Sequence, residues 1–354
     1  MPKLAILNDT HCGIRNSSEI FLNNSRDFYD KIFFPECERQ GIEQIVHLGD
    51  YYDHRKFVNF KALNHNRKHF LNELRKRGMR MDIIPGNHDT YFKNTNELNS
   101  LKECLGHYMN EIHIIMEPTV MEYGSLKLAL LPWICNDNYE RSMNFIRDCK
   151  ADWLGAHLEL SGFDMMRGVQ SHGGMDHKLF NKFELVLSGH FHTGSRKDNI
   201  WYLGSQMEFF WSDAGDKKYF HIVDTETREV QKIHNPHTLF EKIVYNDEEI
   251  DYNNYDVSNL DKKFVKVVVV NKSDTFLFDR FIDRIQNRDI HELKIAENFN
   301  EFIGENVEDE GLAFDDTSQL VDDYIESVDT DLDKDRIKVQ MRELMTEAQA
   351  LEIA

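Results

Sequence analysis

The sequence has little of what marks membrane, disulfide-rich or disordered proteins. It contains no run of about 18 apolar residues, so no segment is predicted to cross a membrane. No apolar stretch of signal-peptide length follows the opening Met1-Pro2-Lys3, and we therefore expect a cytoplasmic protein. The five cysteines are widely spaced and include no C-x-x-C pair, which favours free thiols over disulfides or a zinc ribbon. The six prolines are too few for a long proline-rich linker.

Acidic side chains are in excess, but they are concentrated in one part of the 354-residue chain. The formal net charge is −20, and residues 241–354 hold 30 of the 62 acidic side chains but only 13 of the 42 basic ones. The first 240 residues are therefore nearly neutral and can carry local basic patches. One such stretch runs from Arg55 to Arg80, with nine basic residues and one acidic residue, Glu73. It is either a surface that attracts a nucleic-acid backbone or a solvated helix face, and both readings stay open.

Short apolar runs alternate with longer amphipathic stretches as far as about residue 230, which predicts a layered α/β domain. Two pairs of apolar runs are separated only by short polar turns: Thr119–Glu122 with Leu126–Leu131, and Tyr219–Asp224 with Val230–Ile233. Each pair predicts a hairpin, so the sheets should be mixed rather than purely parallel.

Beyond this region the chain contains three further segments of different composition. Residues 263–299 follow a compact β-α-β pattern, and an acidic segment poor in large apolar residues comes next. We therefore divide the chain into a large α/β domain (1–240), a small α+β domain (241–300), an acidic linker (301–317) and a helical hairpin (318–354). Because a hairpin of this size buries little apolar area by itself, it either packs on the body or docks a partner protein. The partner reading is slightly favoured.

Candidate functional residues follow the predicted strands. Five segments place Asp, Asn or His directly after an apolar run: Asn8-Asp9-Thr10-His11, Gly49-Asp50-Tyr51-Tyr52-Asp53, Gly86-Asn87-His88-Asp89, Gly155-Ala156-His157 and Gly189-His190-Phe191-His192. In open α/β sheets, ligands bind outside the carboxyl ends of the strands. Five such ends in one layered domain are therefore expected to converge on one crevice.

The residue types in these segments indicate a metal centre. Asp, His and Asn without Cys suit divalent ions such as Mn²⁺, Mg²⁺ or Fe²⁺ rather than structural zinc. Asp9 and His11 are two residues apart, as are His190 and His192, so each pair can reach a common side of an extended backbone. Two ions about 4 Å apart need a bridging carboxylate, and an Asp next to Gly, as Asp50 is, suits that role. A single histidine among the 17 carries little weight, so the prediction rests on the ordered set.

The order D-x-H, G-D-x-x-D, G-N-H-D, a lone His and G-H-x-H, over residues 9–192, resembles the signature of the calcineurin-like metallophosphoesterases. The chain is also similar to one branch of that family, the SbcD-type nucleases of DNA double-strand-break repair, which includes recombination nuclease subunits of T-even bacteriophages. The branch resemblance rests on weaker features, which are the segments 49–56, 131–133, 188–193 and 202–205, a following small domain and the C-terminal helices.

The resemblance implies a role for each motif residue. It implies a first metal ion bound by Asp9, His11, Asp50 and His192, and a second bound by Asp50, Asn87, His157 and His190, with Asp50 bridging the two. His88 is similar to the family's catalytic histidine, which stabilises the transition state or protonates the leaving oxygen. Asp53 resembles the carboxylate that orients this histidine. Asp89 stays open between a loop carboxylate that caps local backbone and a functional residue.

The resemblance also implies the fold and the activity. The expected fold is a two-sheet sandwich flanked by helices, followed by a small capping domain. The expected activity is a DNA nuclease with two divalent ions, Mn²⁺ first and Mg²⁺ as the alternative. It would combine double-strand exonuclease and single-strand endonuclease action in DNA repair, recombination and replication. The residues nearest the Asp50 motif, His54, Arg55 and Lys56, are the expected phosphate contacts.

Partners and alternatives follow from the same resemblance. It implies a homodimer, and an SbcC-type coiled-coil ATPase docked by residues 318–353, in the host cytoplasm if the source is viral. Two other functions stay open. One is a phosphatase or small-molecule phosphodiesterase of the same superfamily. The other is a metal-free scaffold, which the complete set of ligating residues disfavours.

Overall fold

The computed structural model describes residues 2–166, 169–171 and 173–296, together with Lys334 and Arg336. The strands are β1 (Lys3–Leu7), β2 (Gln44–His47), β3 (Arg80–Ile83), β4 (Ile112–Ile114), β5 (Thr119–Tyr123), β6 (Leu126–Leu131), β7 (Trp153–His157), β8 (Asp164–Met166), β9 (Val169–Gln170), β10 (Leu185–Gly189), β11 (Ser195–Lys197), β12 (Ile200–Tyr202), β13 (Lys218–Asp224), β14 (Val230–Asn235), β15 (Phe240–Asn246), β16 (Phe264–Asn271) and β17 (Glu292–Ala296). Apart from Lys334 and Arg336, the predicted linker (301–317) and hairpin (318–354) lie outside the described residues.

Two six-stranded mixed sheets form the large domain. The first has the strand order β14-β13-β1-β2-β3-β4, and the second has the order β11-β12-β10-β7-β6-β5. The pairs β5–β6 and β13–β14 are antiparallel, as the hairpin prediction required, whereas β1, β2, β3 and β4 run parallel. The predicted mixed two-sheet sandwich is therefore confirmed.

Alternation along the strands places a different core on each face of the first sheet. Leu4 and Ile6 of β1 belong to a buried cluster that also contains Leu128 and Leu187 of the second sheet. The intervening Ala5 belongs to another cluster, which contains the helical residues of the first sheet's outer face. Because successive side chains of a strand point to opposite faces, one short apolar run contributes to both layers.

Helices cover the outer faces of the sandwich, and the last helix listed covers the small sheet instead. The α-helices are Glu19–Phe28, Phe34–Gln40, Phe60–Asn66, Asn72–Arg77, Ser100–Leu105, Tyr139–Asp148 and Thr275–Gln286. Two π-helical turns, Tyr29–Phe33 and Arg67–Leu71, join the first two pairs into longer helical segments. The segment Ile14–Ser17 is a left-handed turn rather than a helix, because its inner residues have positive φ. In the part of the chain that the structure describes, no helix is both long enough and apolar enough to cross a membrane.

The small domain has one strand more than the β-α-β pattern predicted. Strands β15, β16 and β17 form a parallel three-stranded sheet in that order, covered by the helix Thr275–Gln286. Phe240 pairs with Phe264, so the sheet starts at the end of the proposed large domain. The prediction missed β15 because its parallel partner is distant in the sequence, and because its burial does not alternate regularly.

Candidate metal centre

The strands β1, β2, β3, β7 and β10 end at one crevice between the two sheets. Their carboxyl ends carry the five motifs, and the loops that follow bond to one another through the main chain. The Asp9 amide donates to the Gly49 carbonyl at 2.9 Å, and the His11 amide donates to the Asp50 carbonyl at 3.1 Å. The amide of His190 donates to both carboxylate oxygens of Asp9 at 3.1 Å, which joins the second sheet to the first.

The backbone at these strand ends is unusual for L-amino acids. Asp9, His11, Asp50 and His190 have φ values of 45°, 41°, 54° and 92°, all in the left-handed region. Such conformations cost on the order of 1–3 kcal/mol each for residues other than glycine and concentrate at functional sites. Four of the seven predicted ligands therefore turn their side chains toward the crevice from strained backbone.

The first group of donors consists of Asp9, His11 and His192. Their ligating atoms lie within 4.8 Å of one another. The Nε2 atoms of His11 and His192 are 3.0 Å apart, and the His11 Nε2 is 4.0 Å from Asp9 Oδ1. Two ring nitrogens that face each other at this distance suit a common cation, since each can offer it a lone pair.

The second group consists of Asp50, Asn87, His157 and His190. Asn87 Oδ1 lies 3.0 Å from His157 Nε2 and 3.1 Å from His190 Nδ1. His157 Nδ1 donates to the Leu48 carbonyl at 2.8 Å, which fixes the ring and leaves Nε2 as the nitrogen that could bind a metal ion. A main-chain acceptor behind a ligating histidine is the usual arrangement in metal sites.

Asp50 lies between the two groups. Its Oδ2 is 3.2 Å from His157 Nε2 and 3.8 Å from His11 Nε2, while its Oδ1 accepts a hydrogen bond from the His88 amide at 2.8 Å. Gly86 packs so closely that a Cβ there would collide with this carboxylate. Asp50 is thus the carboxylate placed to bridge two ions.

Burial and neighbouring charges shift the pKa values of the side chains in the crevice. Burial by itself lowers the pKa of His157, but the charge of Asp50 and the contact with it raise that pKa to about 9. Burial also opposes protonation of His11, yet Asp53 and Asp50 raise the His11 pKa to about 9. Burial raises the pKa of Asp9. Neutral imidazoles and ionised carboxylates are what a divalent ion requires, and such an ion would replace the protons that this cluster otherwise attracts.

The donor set therefore fits divalent metal ions. It offers carboxylate and amide oxygens and imidazole nitrogens without a thiolate, as expected for Mn²⁺, Mg²⁺ or Fe²⁺. The seven predicted ligands are brought together in the two expected groups, although their roles as ligands stay a prediction. They are Asp9, His11, Asp50, Asn87, His157, His190 and His192.

The contact between His88 and Asp53 differs from the expectation. His88 Nδ1 lies 2.6 Å from the main-chain carbonyl oxygen of Asp53, which therefore accepts the hydrogen bond. The Asp53 carboxylate instead lies 3.4 Å from His11 Nδ1. The main-chain carbonyl of Asp53 thus holds the His88 ring, and the carboxylate of Asp53 lies close to both His11 and His88.

Asp89 has a clear structural role. Its carboxylate is fully buried and accepts hydrogen bonds from the amides of Tyr51, Tyr52 and Gly86 at 2.9–3.2 Å. It therefore ties the loop after β2 to the loop after β3. This favours the first of the two readings of Asp89, a loop carboxylate that caps local backbone.

The expected DNA contacts have different surroundings. His54 stacks on Phe57 with ring centroids 4.0 Å apart, and Lys56 is exposed. Arg55 is half-buried, and its guanidinium donates to the carbonyl and hydroxyl oxygens of Thr90 at 3.0 and 3.3 Å. Arg55 thus helps to hold the loop that carries His88.

The remainder of the basic stretch is largely paired with acidic side chains. Arg75 forms an ion pair with Glu111, and Arg77 forms ion pairs with Glu38 and Glu73. These exposed or half-exposed pairs favour a solvated helix face for the end of the stretch.

The motif-based prediction missed two groups of aromatic residues at the site, Trp133 and the pair Phe209 and Phe210. The indole of Trp133 lies against His190 and His157, with ring centroids 5.4 and 5.8 Å apart. The rings of Phe209 and Phe210 lie 5.5 and 5.8 Å from the ring of His192. Trp133 follows a predicted strand, which is a signal that could have found it. The two phenylalanines are distant from every metal motif along the sequence, so no local pattern there could have predicted them.

The chain is similar in sequence to known proteins. A family model described as calcineurin-like phosphoesterase matches residues 2–194. Exonuclease subunit 1 of Enterobacteria phage T4 is 28% identical over 335 residues, which cover 94% of this chain and 95% of that protein. The solved structure of an archaeal phosphodiesterase is 17% identical and covers 66% of this chain and 99% of its own, with a TM-score of 0.35. That TM-score is below the level that indicates a shared fold.

Proposed function

Because the chain belongs to the calcineurin-like phosphoesterase family and is thus a metal-dependent phosphoester hydrolase, we propose that it is a two-metal DNA nuclease. It would combine double-strand exonuclease and single-strand endonuclease action. The observation that carries the proposal is the convergence of two donor groups on Asp50. The similarity to an exonuclease subunit supports a nucleic-acid substrate.

The two donor groups would hold two ions, with Mn²⁺ proposed and Mg²⁺ as the alternative. When bound, a pair of divalent ions makes a water nucleophilic near neutral pH and offsets the charge of a phosphodiester. The first ion would be held by Asp9, His11, Asp50 and His192, and the second by Asp50, Asn87, His157 and His190. No side chain of the protein has to form a covalent intermediate.

His88 is the proposed catalytic residue among the groups that are not ligands. Its Nδ1 donates to the Asp53 carbonyl, so Nε2 is the atom available to the substrate. As an imidazolium, His88 can donate the Nε2 proton to the leaving oxygen or stabilise the negative charge of the transition state. Its amide donates to the bridging Asp50, which fixes His88 relative to both donor groups.

The proposed substrate contacts and partners extend beyond the crevice. Lys56 is exposed beside the Asp50 motif, and His54 and Arg55 adjoin it, so these residues would meet a DNA phosphate backbone. We propose a homodimer, and a coiled-coil ATPase of the SbcC type docked by residues 318–353, with roles in DNA repair, recombination and replication. The proposed place of action is the cytoplasm, or the host cytoplasm for a viral protein.

Digestion of end-labelled duplex DNA with and without Mn²⁺ tests the proposal. We expect Mn²⁺-dependent cutting by the wild type, and a loss of about 10²–10⁴-fold in His88→Ser, the range typical of a general acid. Asn94→Ser, in the exposed loop that follows, is the matched control and should cut like the wild type. Normal cutting by His88→Ser would overturn the assignment of the acid.

The same assay separates the alternatives. Hydrolysis of a chromogenic phosphodiester without any cutting of duplex or single-stranded DNA would favour a small-molecule phosphodiesterase. A purified protein that binds no Mn²⁺ or Mg²⁺ would favour the metal-free scaffold.

A further inference from the structure

The loop between β12 and β13, residues 203–217, reaches the first donor group from outside the segment that matches the family model. At its end lies an ion pair between Lys218 and Asp213, whose side chains are 4% and 2% exposed. The Lys218 ammonium and Asp213 Oδ1 are 2.5 Å apart. The cost of desolvating two buried charges offsets most of the free energy of their attraction. Stability alone therefore does not account for this ion pair.

Lys218 makes a second contact, which goes directly to a proposed ligand. Its Nζ donates to the main-chain carbonyl of His192 at 3.0 Å. The Ser205 amide donates to the same carbonyl, also at 3.0 Å. The backbone of His192 is thus held from the β12–β13 loop by one side chain and one amide.

The partner carboxylate organises the residues beside the His192 ring. Asp213 Oδ2 accepts hydrogen bonds from the amides of Phe209 and Phe210 at 2.8 and 3.0 Å. The Phe210 ring lies nearly parallel to the His192 ring, and Phe209 meets the rings of both His192 and His11 edge-on. One buried carboxylate therefore places two aromatic rings that restrict the imidazoles of the first group.

The same loop also reaches Asp9, the third member of the first group. The Asn8 side chain donates to the Gly204 carbonyl at 2.9 Å and to Asp9 Oδ2 at 2.6 Å. The second group is held differently, since His157 is fixed by the carbonyl of Leu48, the residue that follows β2. The contacts of the β12–β13 loop are therefore concentrated on the first group.

We propose that Lys218 and Asp213 are positioning residues for the first metal site. This inference rests on the proposed two-metal function. The ion pair fixes the backbone of His192 and the aromatic rings around it, so that His192 and His11 point at one ion without further rearrangement. Partners behind the ligands typically change metal affinity 10–100-fold when they are removed. Replacing Lys218 or Asp213 should therefore weaken the binding of the first ion and leave the binding of the second ion unchanged.

Mn²⁺ binding to the metal-depleted full-length chain tests the proposal, followed by electron paramagnetic resonance and calorimetry. Lys218→Met keeps the length of the side chain and removes its charge. We expect the variant to bind one ion like the wild type and the other at least 10-fold more weakly. His192→Ala serves as the reference for a damaged first site, and the spectrum of Lys218→Met should resemble it at low Mn²⁺.

Lys263→Met is the matched control. It removes the lysine of a partly buried ion pair with Glu241 in the small domain, away from both donor groups. This variant should bind both ions with wild-type affinity. Asp213→Asn provides a second test that does not depend on the folding of Lys218→Met, and it should weaken the same ion.

The outcomes separate this inference from the proposed function. If the wild type binds no Mn²⁺, the two-metal function itself fails. If the wild type binds two ions and the folded Lys218→Met variant binds both equally well, only the positioning role is overturned. Equal weakening of both ions, together with a lower stability of the metal-free chain, would show a general packing role and would also overturn it.

Discussion

Asp50 has a left-handed backbone conformation at the point where the two donor groups meet. Its φ is 54°, its side chain is buried, and its two oxygens face three histidines. A left-handed aspartate costs free energy that the surrounding structure must offset. The main-chain bonds between the loops after β1 and β2 hold it there, so the strained residue and its supports form one unit.

The convergence of the proposed ligands on one crevice could be predicted from the sequence because its signal is local. Asp9, Asn87 and His190 each follow an apolar run directly, and parallel strands bring such positions to one edge. The hydrogen bond between His88 and the Asp53 carbonyl could not be predicted, since the sequence does not show which oxygen of a residue accepts it. The hydrogen bonds of Arg55 to Thr90 could not be predicted, because they are long-range contacts with no local pattern in the sequence.

Asp89→Asn tests the capping role of this buried carboxylate. The amide group of asparagine has only one acceptor oxygen, whereas Asp89 uses both oxygens to accept from Tyr51, Tyr52 and Gly86. One buried main-chain N–H would therefore face an NH₂ group, and we expect a loss of about 2–3 kcal/mol in the free energy of unfolding. Urea unfolding of the metal-free chain measures it.

Asp137→Asn is the control for this substitution. Asp137 is exposed and accepts a single side-chain bond from Thr95 at 3.2 Å, so its replacement should change stability by less than about 0.5 kcal/mol. Equal stability of Asp89→Asn and the wild type would show that the loop junction does not depend on the ionised carboxylate.

At the scale of elements, β15 is a strand that the sequence pattern could not predict. Phe240–Asn246 pairs in parallel with Phe264–Asn271, and parallel pairing joins segments that no short turn connects. The hairpins β5–β6 and β13–β14 were predictable because a turn marks each of them. The start of β15 is held by a residue of the β12–β13 loop, Glu208, whose Oε2 accepts from the Leu239 and Phe240 amides at 2.6 and 2.9 Å.

Through Glu208, the stability of this junction should depend on pH, and the substitution Glu208→Gln tests that expectation. Burial raises the pKa of Glu208 to about 7, from about 4.5 in an unfolded chain. Between these two values the folded state holds a proton that the unfolded state has released, so Glu208 lowers stability as the pH rises from about 4.5 to 7. Glutamine keeps an acceptor for both amides and cannot ionise. We expect the variant to gain on the order of 3 kcal/mol relative to wild type between pH 5 and pH 8.

Urea unfolding of both metal-free chains at the two pH values measures this gain. Other titrating groups are common to the two chains and cancel in the difference. The exposed Glu226→Gln variant should show no such pH-dependent gain. A difference between Glu208→Gln and wild type that stays constant with pH would contradict the raised pKa.

On the scale of the whole molecule, the charge distribution separates the metal-binding region from the C-terminal third. The sandwich was predictable because the alternation of strands and helices extends over the whole region and each element supports the next. The contact of the β12–β13 loop with the first donor group could not be predicted, because this loop and its flanking residue Lys218 meet Asn8 and His192 only in the folded chain. The excess of acidic residues in 241–354 leaves the crevice region nearly neutral, which is compatible with a polyanionic substrate.

Truncation after Thr317 tests whether catalysis and partner docking belong to different parts of the chain. The donor groups, His88 and the β12–β13 loop all lie before residue 219, so the truncated chain should hydrolyse a chromogenic phosphodiester with Mn²⁺ at a rate close to wild type. The same chain should no longer co-elute with the SbcC-type ATPase, because residues 318–353 are the proposed docking segment. Full-length His88→Ser is the complementary control, since it should bind the ATPase and fail in hydrolysis. Unchanged co-elution of the truncated chain would place the docking surface within residues 1–317 instead.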